Sequence, residues 1–279
     1  MRSVVPRFAA GRRATVSGRA VFWVALVVLI VLPLLFLIVA AFAGRWPFPR
    51  VLPEVYSLRA WRFVAANSEG ILRALGSTTV YSLAAVLTTA LFCWLPAQFL
   101  SRYSFRGQTL LEALLLTPAL VPAITFSMGL QVVFIGLGLA DTMLGVVLVL
   151  SLVSYPYMLR GLKTGYLAYR QAYDECARNL GAGEWQRLRQ VELPLVLPAA
   201  LSGGSVVFLV AFSEYFLVFL IGGGVVRSFP GYLVPFVTGS DRALASALSL
   251  LFLVVPVLLF VAQELFLLRF YRRKGIEFR

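Results

Sequence analysis

Twenty-three consecutive residues, Val21 to Ala43, carry no charged side chain. A helix of about 20 mostly apolar residues crosses a hydrocarbon layer about 30 Å thick, so this run is long enough to span one. Five more runs follow: Leu75–Leu100, Thr109–Ile135 with Glu112 near its start, Thr142–Leu159 (a little short), Leu195–Ile221 with Glu214 inside it, and Leu244–Leu268 with Glu264 near its end. Composition agrees, with 60% hydrophobic and 13% charged residues, where a soluble domain has about 45–50% and about 25%. None of the runs alternates every second residue as barrel strands do. The expected fold is an all-α integral membrane protein with six transmembrane helices.

Secretory signals have apolar cores of about 7–15 residues. Although Ala41-Phe42-Ala43 looks like a cleavage site, the first run is expected to stay as an uncleaved helix. Basic residues flanking spans prefer the cytosol. With the N-terminus inside, 18 of the 25 Lys and Arg residues fall on that side, which places both termini in the cytosol. The division is then a tail at 1–20, a first helix at 21–43, an external segment at 44–73, a core of five helices at 74–270 with a loop at 160–194, and a tail at 271–279. In the external segment Trp46-Pro47-Phe48-Pro49 and Pro53 read as an interfacial lead-in, and Leu58–Ala74 as one short surface helix. The net charge of +13 is read as anchoring at lipid headgroups rather than as nucleic-acid binding.

Much chemistry is excluded. The chain has no histidine, and its two cysteines, Cys93 and Cys176, match no zinc spacing and suggest no structural disulfide. Gly222-Gly223-Gly224 is not followed by the Gly-Lys-Ser/Thr of a phosphate loop, so it is expected to end the fifth helix. No cofactor or metal is expected in this chain, and no catalytic cluster lies at one depth of the spans.

The loop after the fourth span is the long internal one. Tyr166, Tyr169, Tyr173, Ala177 and Leu180 recur at helical spacing, which predicts one amphipathic helix over Leu162–Leu180. Gly181 stands where a left-handed cap belongs. A second short helix from Glu184 puts Trp185, Leu188 and Val191 on one stripe, and Pro194 is expected to close it.

Here the residues carry a resemblance. Glu175-Cys176-Ala177, then three residues to Gly181, then nine to Val191-Glu192-Leu193-Pro194, resembles the E-A-A, G, I-x-L-P motif of permease subunits of binding-protein-dependent ABC importers. Cys176 stands for an alanine and Val191 for an isoleucine. Asn179-Leu180-Gly181-Ala182 also looks like this family, and the likeness extends over about residues 70–270, looking most like the polyamine, thiamine and ferric-iron branch. The resemblance implies a bacterial inner-membrane protein whose loop docks on a dimer of ATPase subunits through Glu175, Cys176, Ala177, Leu180, Gly181, Ala182, Leu193 and Pro194. It implies two further partners, a second permease subunit (identical or sister) and an extracytoplasmic solute-binding protein, with ATP and Mg used by the ATPase. The residues alone leave a plainer alternative, in which Glu175 pairs with Arg178 or Arg170 and Gly181 is only a cap.

Glu214 is the one mid-span acid, and such residues usually face a cavity or a partner. With Ser213 it is expected on the solute path, favouring a cationic solute; a hydrogen bond to Ser213, Tyr215 or a neighbouring helix is the alternative. Ser202-Gly203-Gly204-Ser205 is expected to serve close helix packing, and Pro118, Pro122 and Pro156 to kink spans three and four. The competing functional class is a secondary transporter without an ATPase, which usually shows several intramembrane acids or broken-helix repeats.

Overall fold

The computed structural model describes residues 12–47, 49–169 and 171–273. Most of the two expected tails therefore lies outside the described residues, as does Arg170. The chain forms two units, one from residues up to Ala66 together with Gly239–Leu250, the other from Asn67–Thr238 and Leu251 onward.

In hydrocarbon, every backbone N–H and C=O must be bonded within the protein, which leaves helices as the spanning solution here. Five helices among the described residues are long and apolar enough to cross a membrane. They are α1 (Arg12–Ala41), α3 (Ser68–Arg102), α6 (Met143–Ala168), α9 (Leu193–Ser213, continuous with the turns from Glu184) and α12 (Arg242–Arg273).

The expected third span, Thr109–Ile135, is not one helix. α4 (Gln108–Leu116) gives way to a 3-10 turn at Thr117–Ala119, and α5 (Ala123–Gly136) starts only after Pro122, whose ψ of 128° is extended. Pro118 and Pro122 each remove an amide donor and crowd the turn before them, so neither piece reaches span length. The fourth span departs the other way, since α6 runs nine residues past Leu159, to Ala168. The predicted fifth span breaks at Glu214, where ψ is 117°, and resumes as α10 (Phe216–Gly222). Gly223 then adopts a left-handed φ of 53° and ends it, as expected of the glycine run. A further apolar helix, α11 (Phe229–Thr238), had no counterpart in the sequence reading.

In the first unit, the expected surface helix over Leu58–Ala74 is the shorter α2 (Arg59–Ala66). It follows a two-stranded antiparallel ladder of β1 (Ala43–Arg45) and β2 (Val55–Tyr56), a small departure from an all-α chain. Arg59 grips Asp241 through both carboxylate oxygens, each at 2.7 Å. This hydrogen bonding holds the Asp241 carboxyl below its ordinary range and raises the Arg59 guanidinium. Asp241 also accepts from Leu244 N at 3.2 Å, capping α12. Outside this clip α1 presents Val24, Leu29, Leu32 and Phe36 bare along its length, as suits a helix with lipid for solvent.

In the second unit α3, α6 and α9 pack together, and α6 is the most enclosed of the long helices. One buried cluster joins Tyr81, Val149, Leu150, Ala211 and Leu217, and a second joins Cys93, Met158, Leu162, Val196 and Val207. The close contact is made by small residues. A Cβ placed on Gly161 of α6 would lie 2.9 Å from Gly203 Cα of α9, and one on Gly165 would lie 2.7 Å from Ala199 Cβ. The expected packing role of Gly203 and Gly204 is thus met by a Gly161-x-x-x-Gly165 pair on the facing helix. α12 is tied to α9 by Ser205 donating to Gln263 and by Tyr271 OH donating to the Pro194 carbonyl at 2.8 Å.

Gly161→Leu is therefore expected to destabilise the detergent-solubilised protein by about 1–3 kcal/mol, the usual cost of overpacking. Gly76→Leu, on α3 where an added Cβ meets nothing within 4 Å, is the control and should melt like the parent in a thermal unfolding assay.

Candidate docking site and solute pathway

Between α6 and α9 the chain makes the polar element that the motif announced, but its parts are cut differently. The amphipathic stretch is two helices. α6 ends at Ala168, Tyr169 turns out of helical geometry with ψ of 90°, and α7 covers Gln171–Asn179. Gly181 then adopts φ of 80°. Its N–H donates to Arg178 O and the Ala182 N–H to Ala177 O, at 2.9 and 3.0 Å. These are the two bonds of a Schellman cap, which needs a left-handed residue at this position. α8 (Glu184–Arg187) leads into a π turn, Leu188–Glu192. Pro194 does not close the helix as expected. The wide turn lets Leu193 N reach back to Leu188 O, and proline at the start of α9 forfeits little because first-turn amides lack intrahelical partners.

The motif residues lie together at this end. Glu175 and Cys176 are exposed, Ala177 and Ala182 are half-buried, and Leu193 is exposed while Pro194 is buried. Glu175 has no ion-pair partner among the described residues. It is Asp174, one position earlier, that pairs with Arg178. Two large apolar side chains stand in the open beside it, Leu180 at 82% and Trp185 at 71% exposure. Apolar groups presented singly need no explanation; here two flank a capped turn, next to a carboxylate with no ion-pair partner among the described residues.

Beneath that surface is a polar cluster that sequence reasoning missed. Glu192, in the π turn, accepts from Tyr166 OH at 2.7 Å, from Gln98 Nε2 at 3.1 Å and from Arg102 Nη2 at 3.2 Å. Asp174 accepts from Tyr169 OH at 3.4 Å and pairs with Arg178 at 3.4 Å. Arg187 Nε lies 3.0 Å from Asp174, close enough for an ion pair but off line for a hydrogen bond. The Arg102 guanidinium sits 6.0 and 5.8 Å over the Tyr166 and Tyr169 rings, joining the two halves. Burial, then the charges of Asp174 and Glu192, push the Tyr169 hydroxyl up to about 12, so it stays a donor at neutral pH. Gln98 and Arg102 are 94 and 90 positions from Glu192, and no local pattern signals such a pairing.

At the other end of α3 lies a cavity of about 460 Å³, lined among others by Gly70, Tyr215, Arg227, Ser228 and Tyr232. No carboxylate lines it, and Arg227 has no ion-pair partner among the described residues. Glu214, just beyond Tyr215, is half-buried and accepts from Leu217 N at 3.1 Å, so it caps the restarted helix α10. Ser213 is exposed and donates to the Leu209 carbonyl at 2.7 Å. The structure thus gives Glu214 a local partner in its own chain, close to the hydrogen-bonded alternative.

Long apolar helices around a tight three-helix core, with one structured polar element, define a polytopic helical membrane protein. Residues 94–272 match the family described as binding-protein-dependent transport system inner membrane component, and the chain belongs to that family. It is 27% identical to the molybdate/tungstate transport system permease protein of Pyrococcus abyssi over 144 residues, 52% of this chain and 58% of that relative. It is 28% identical to the sulfate transport system permease protein of Escherichia coli over 211 residues, 70% of this chain and 76% of that one. The chain thus spans little more than half the length of some curated relatives it matches. The fold resembles the crystal structure of a bacterial ABC transporter involved in the import of the acidic polysaccharide alginate, with a TM-score of 0.71 at 17% identity, covering 93% of this chain and 99% of that one. These relatives correct one expectation. They are named for sulfate and molybdate/tungstate, not for polyamines, thiamine or iron, and the cationic solute inferred from Glu214 finds no support.

Because Glu214 acts here as a helix cap, Glu214→Ala is expected to cost about 0.5–2 kcal/mol. Glu214→Gln, which keeps the acceptor oxygen, should unfold near the parent temperature; equal loss in both variants would point to a role for the charge itself.

Proposed function

We propose that the chain is the permease subunit of an ATP-driven importer for an anionic solute. The observation that carries this is the capped element between α6 and α9, presented within a chain of this family. There the free Glu175 and the bare Leu180 and Trp185 suit a partner subunit that brings a basic group and an apolar cleft. Glu175, Cys176, Ala177, Leu180, Gly181, Ala182, Leu193 and Pro194 form the docking surface for the ATPase dimer, which binds and hydrolyses ATP with Mg. A second permease copy or sister completes the pathway, and a solute-binding protein delivers cargo from outside.

In this reading the chain crosses the inner membrane six times, with α4 and α5 together making the third crossing as a broken one. Both termini lie in the cytosol in this reading, which the excess of basic residues assigned to that side supports. The cavity below Arg227 then opens toward the outside, with the α9–α10 break bringing Ser213 and Glu214 to the path. An unpaired arginine over a cavity without acids favours an anion, and the names of the relatives support the same class.

Uptake by the reconstituted complex tests this. Gly181→Val forces a β-branched residue to a positive φ, where even ordinary side chains cost about 1–2 kcal/mol. It should leave insertion intact yet abolish ATP-dependent uptake of sulfate or molybdate, whereas Gly181→Asn, better tolerated at such φ, should retain most of it. Uptake that persists without any ATPase would make the chain a secondary transporter instead.

A further inference from the structure

The cluster under the docking surface contains an ion pair between Glu192, at the variable position of the motif, and Arg102, outside it. The Glu192 side chain is 8% exposed and Arg102 27%, and they meet at 3.2 Å. Removing such a pair in favour of well-packed apolar groups is often neutral or stabilising, so stability alone gives it weak support, whereas fixing one arrangement of the parts is its better-attested use. Its position is informative. Glu192 belongs to the π turn that joins the docking element to α9, and Arg102 is the last residue of α3. The two remaining ligands of Glu192 come from α3 (Gln98) and α6 (Tyr166), so a single carboxylate gathers three elements at one point. α3 is an unbroken 35-residue helix, about 52 Å long at 1.5 Å per residue. Its opposite end supplies Gly70 and Ala74 to the cavity that holds Arg227.

We propose that Arg102 and Glu192 are positioning residues that form the joint through which displacement of the docking element is passed to α3 and so to the far cavity. The inference rests on the importer reading. π turns inside helices frequently mark functional sites, and here the turn supplies the hydrogen bonds and the ion pair to α3, beside the contact of the Arg102 guanidinium with the Tyr169 ring. The ion pair of Asp174 with Arg187 ties α7 to α8, which continues into the π turn, so a push on α7 has a route to Glu192.

The test reads motion at the far end of α3, without requiring the solute. Gly70→Cys lines the cavity, and an added Cβ there meets nothing within 4 Å. Its rate of maleimide labelling, followed by mass spectrometry of its peptide, is compared in the permease–ATPase complex with and without ATP and vanadate. With the pair intact the rate should change severalfold on nucleotide trapping. In the charge-free pair Arg102→Met with Glu192→Gln, the ATPase should still copurify while the nucleotide-dependent change disappears; Arg102→Lys, which keeps the charge and one donor, should recover part of it. Full response in the double variant, no response in the intact complex, or a double variant that does not assemble would each overturn the joint. Absence of any copurifying ATPase subunit from the parent chain would instead remove the importer reading.

Discussion

The backbones of α6 and α9 nearly touch, α3 packs against both, and the rest of the second unit is arranged around that contact. In lipid no apolar side chain gains by leaving its solvent, so association depends on fit. Gly161 and Gly165 against Ala199 and Gly203 supply it, because a larger residue would meet backbone at Gly161 and the Ala199 Cβ, which has no rotamer to change, at Gly165. With α6 seated on α9, the segment joining them has fixed ends and must fold back on itself as a compact element. The Gly181 cap, the π turn and the buried carboxylates are the means by which it does so.

Charge is used differently at the two ends of this unit. At the docking end, Asp174 and Glu192 are buried but surrounded by donors, while Glu175 between them in sequence is left exposed. Acidic groups are thereby divided into those that hold the element together and two that face outward, Glu175 and Glu184. At the cavity end the Glu214 carboxylate accepts from Leu217 N, and Arg227 has no ion-pair partner among the described residues. A helix restarting in mid-course requires a cap, and in a poorly hydrated region that requirement explains an acid without invoking cargo.

Much of this was legible from the residues. Apolar run length found every helix long enough to span, because a continuous helix in lipid leaves a continuous record. The motif located the structured element between α6 and α9, and Gly181 in it was read correctly as a left-handed cap, since few residues take that conformation. Three things were not legible. Pro118 and Pro122 were read as kinks, yet together they end one helix and begin another, a matter of how much their neighbours repair. Pro194 was read as a stop, but a π turn five residues long absorbed it. The Glu192 cluster was invisible because its members are separated in sequence by α4, α5, most of α6, α7 and α8, and meet only where α3, α6 and the π turn pack. Glu214 was read as lying inside a continuous span, whereas the helix breaks there, and the chemistry assigned to it came from its charge rather than from that break.

The claim on which the account turns is that the element between α6 and α9 faces the cytosol and is covered by a separate ATPase. Cys176 is exposed within it and Cys93 is buried, so the chain carries its own reporter. Labelling with a membrane-impermeant maleimide in vesicles of both orientations measures the claim directly. The account predicts modification of Cys176 only in inside-out vesicles, and protection when the purified ATPase subunit is added. Modification in right-side-out vesicles, or labelling that the ATPase leaves unchanged, would contradict it.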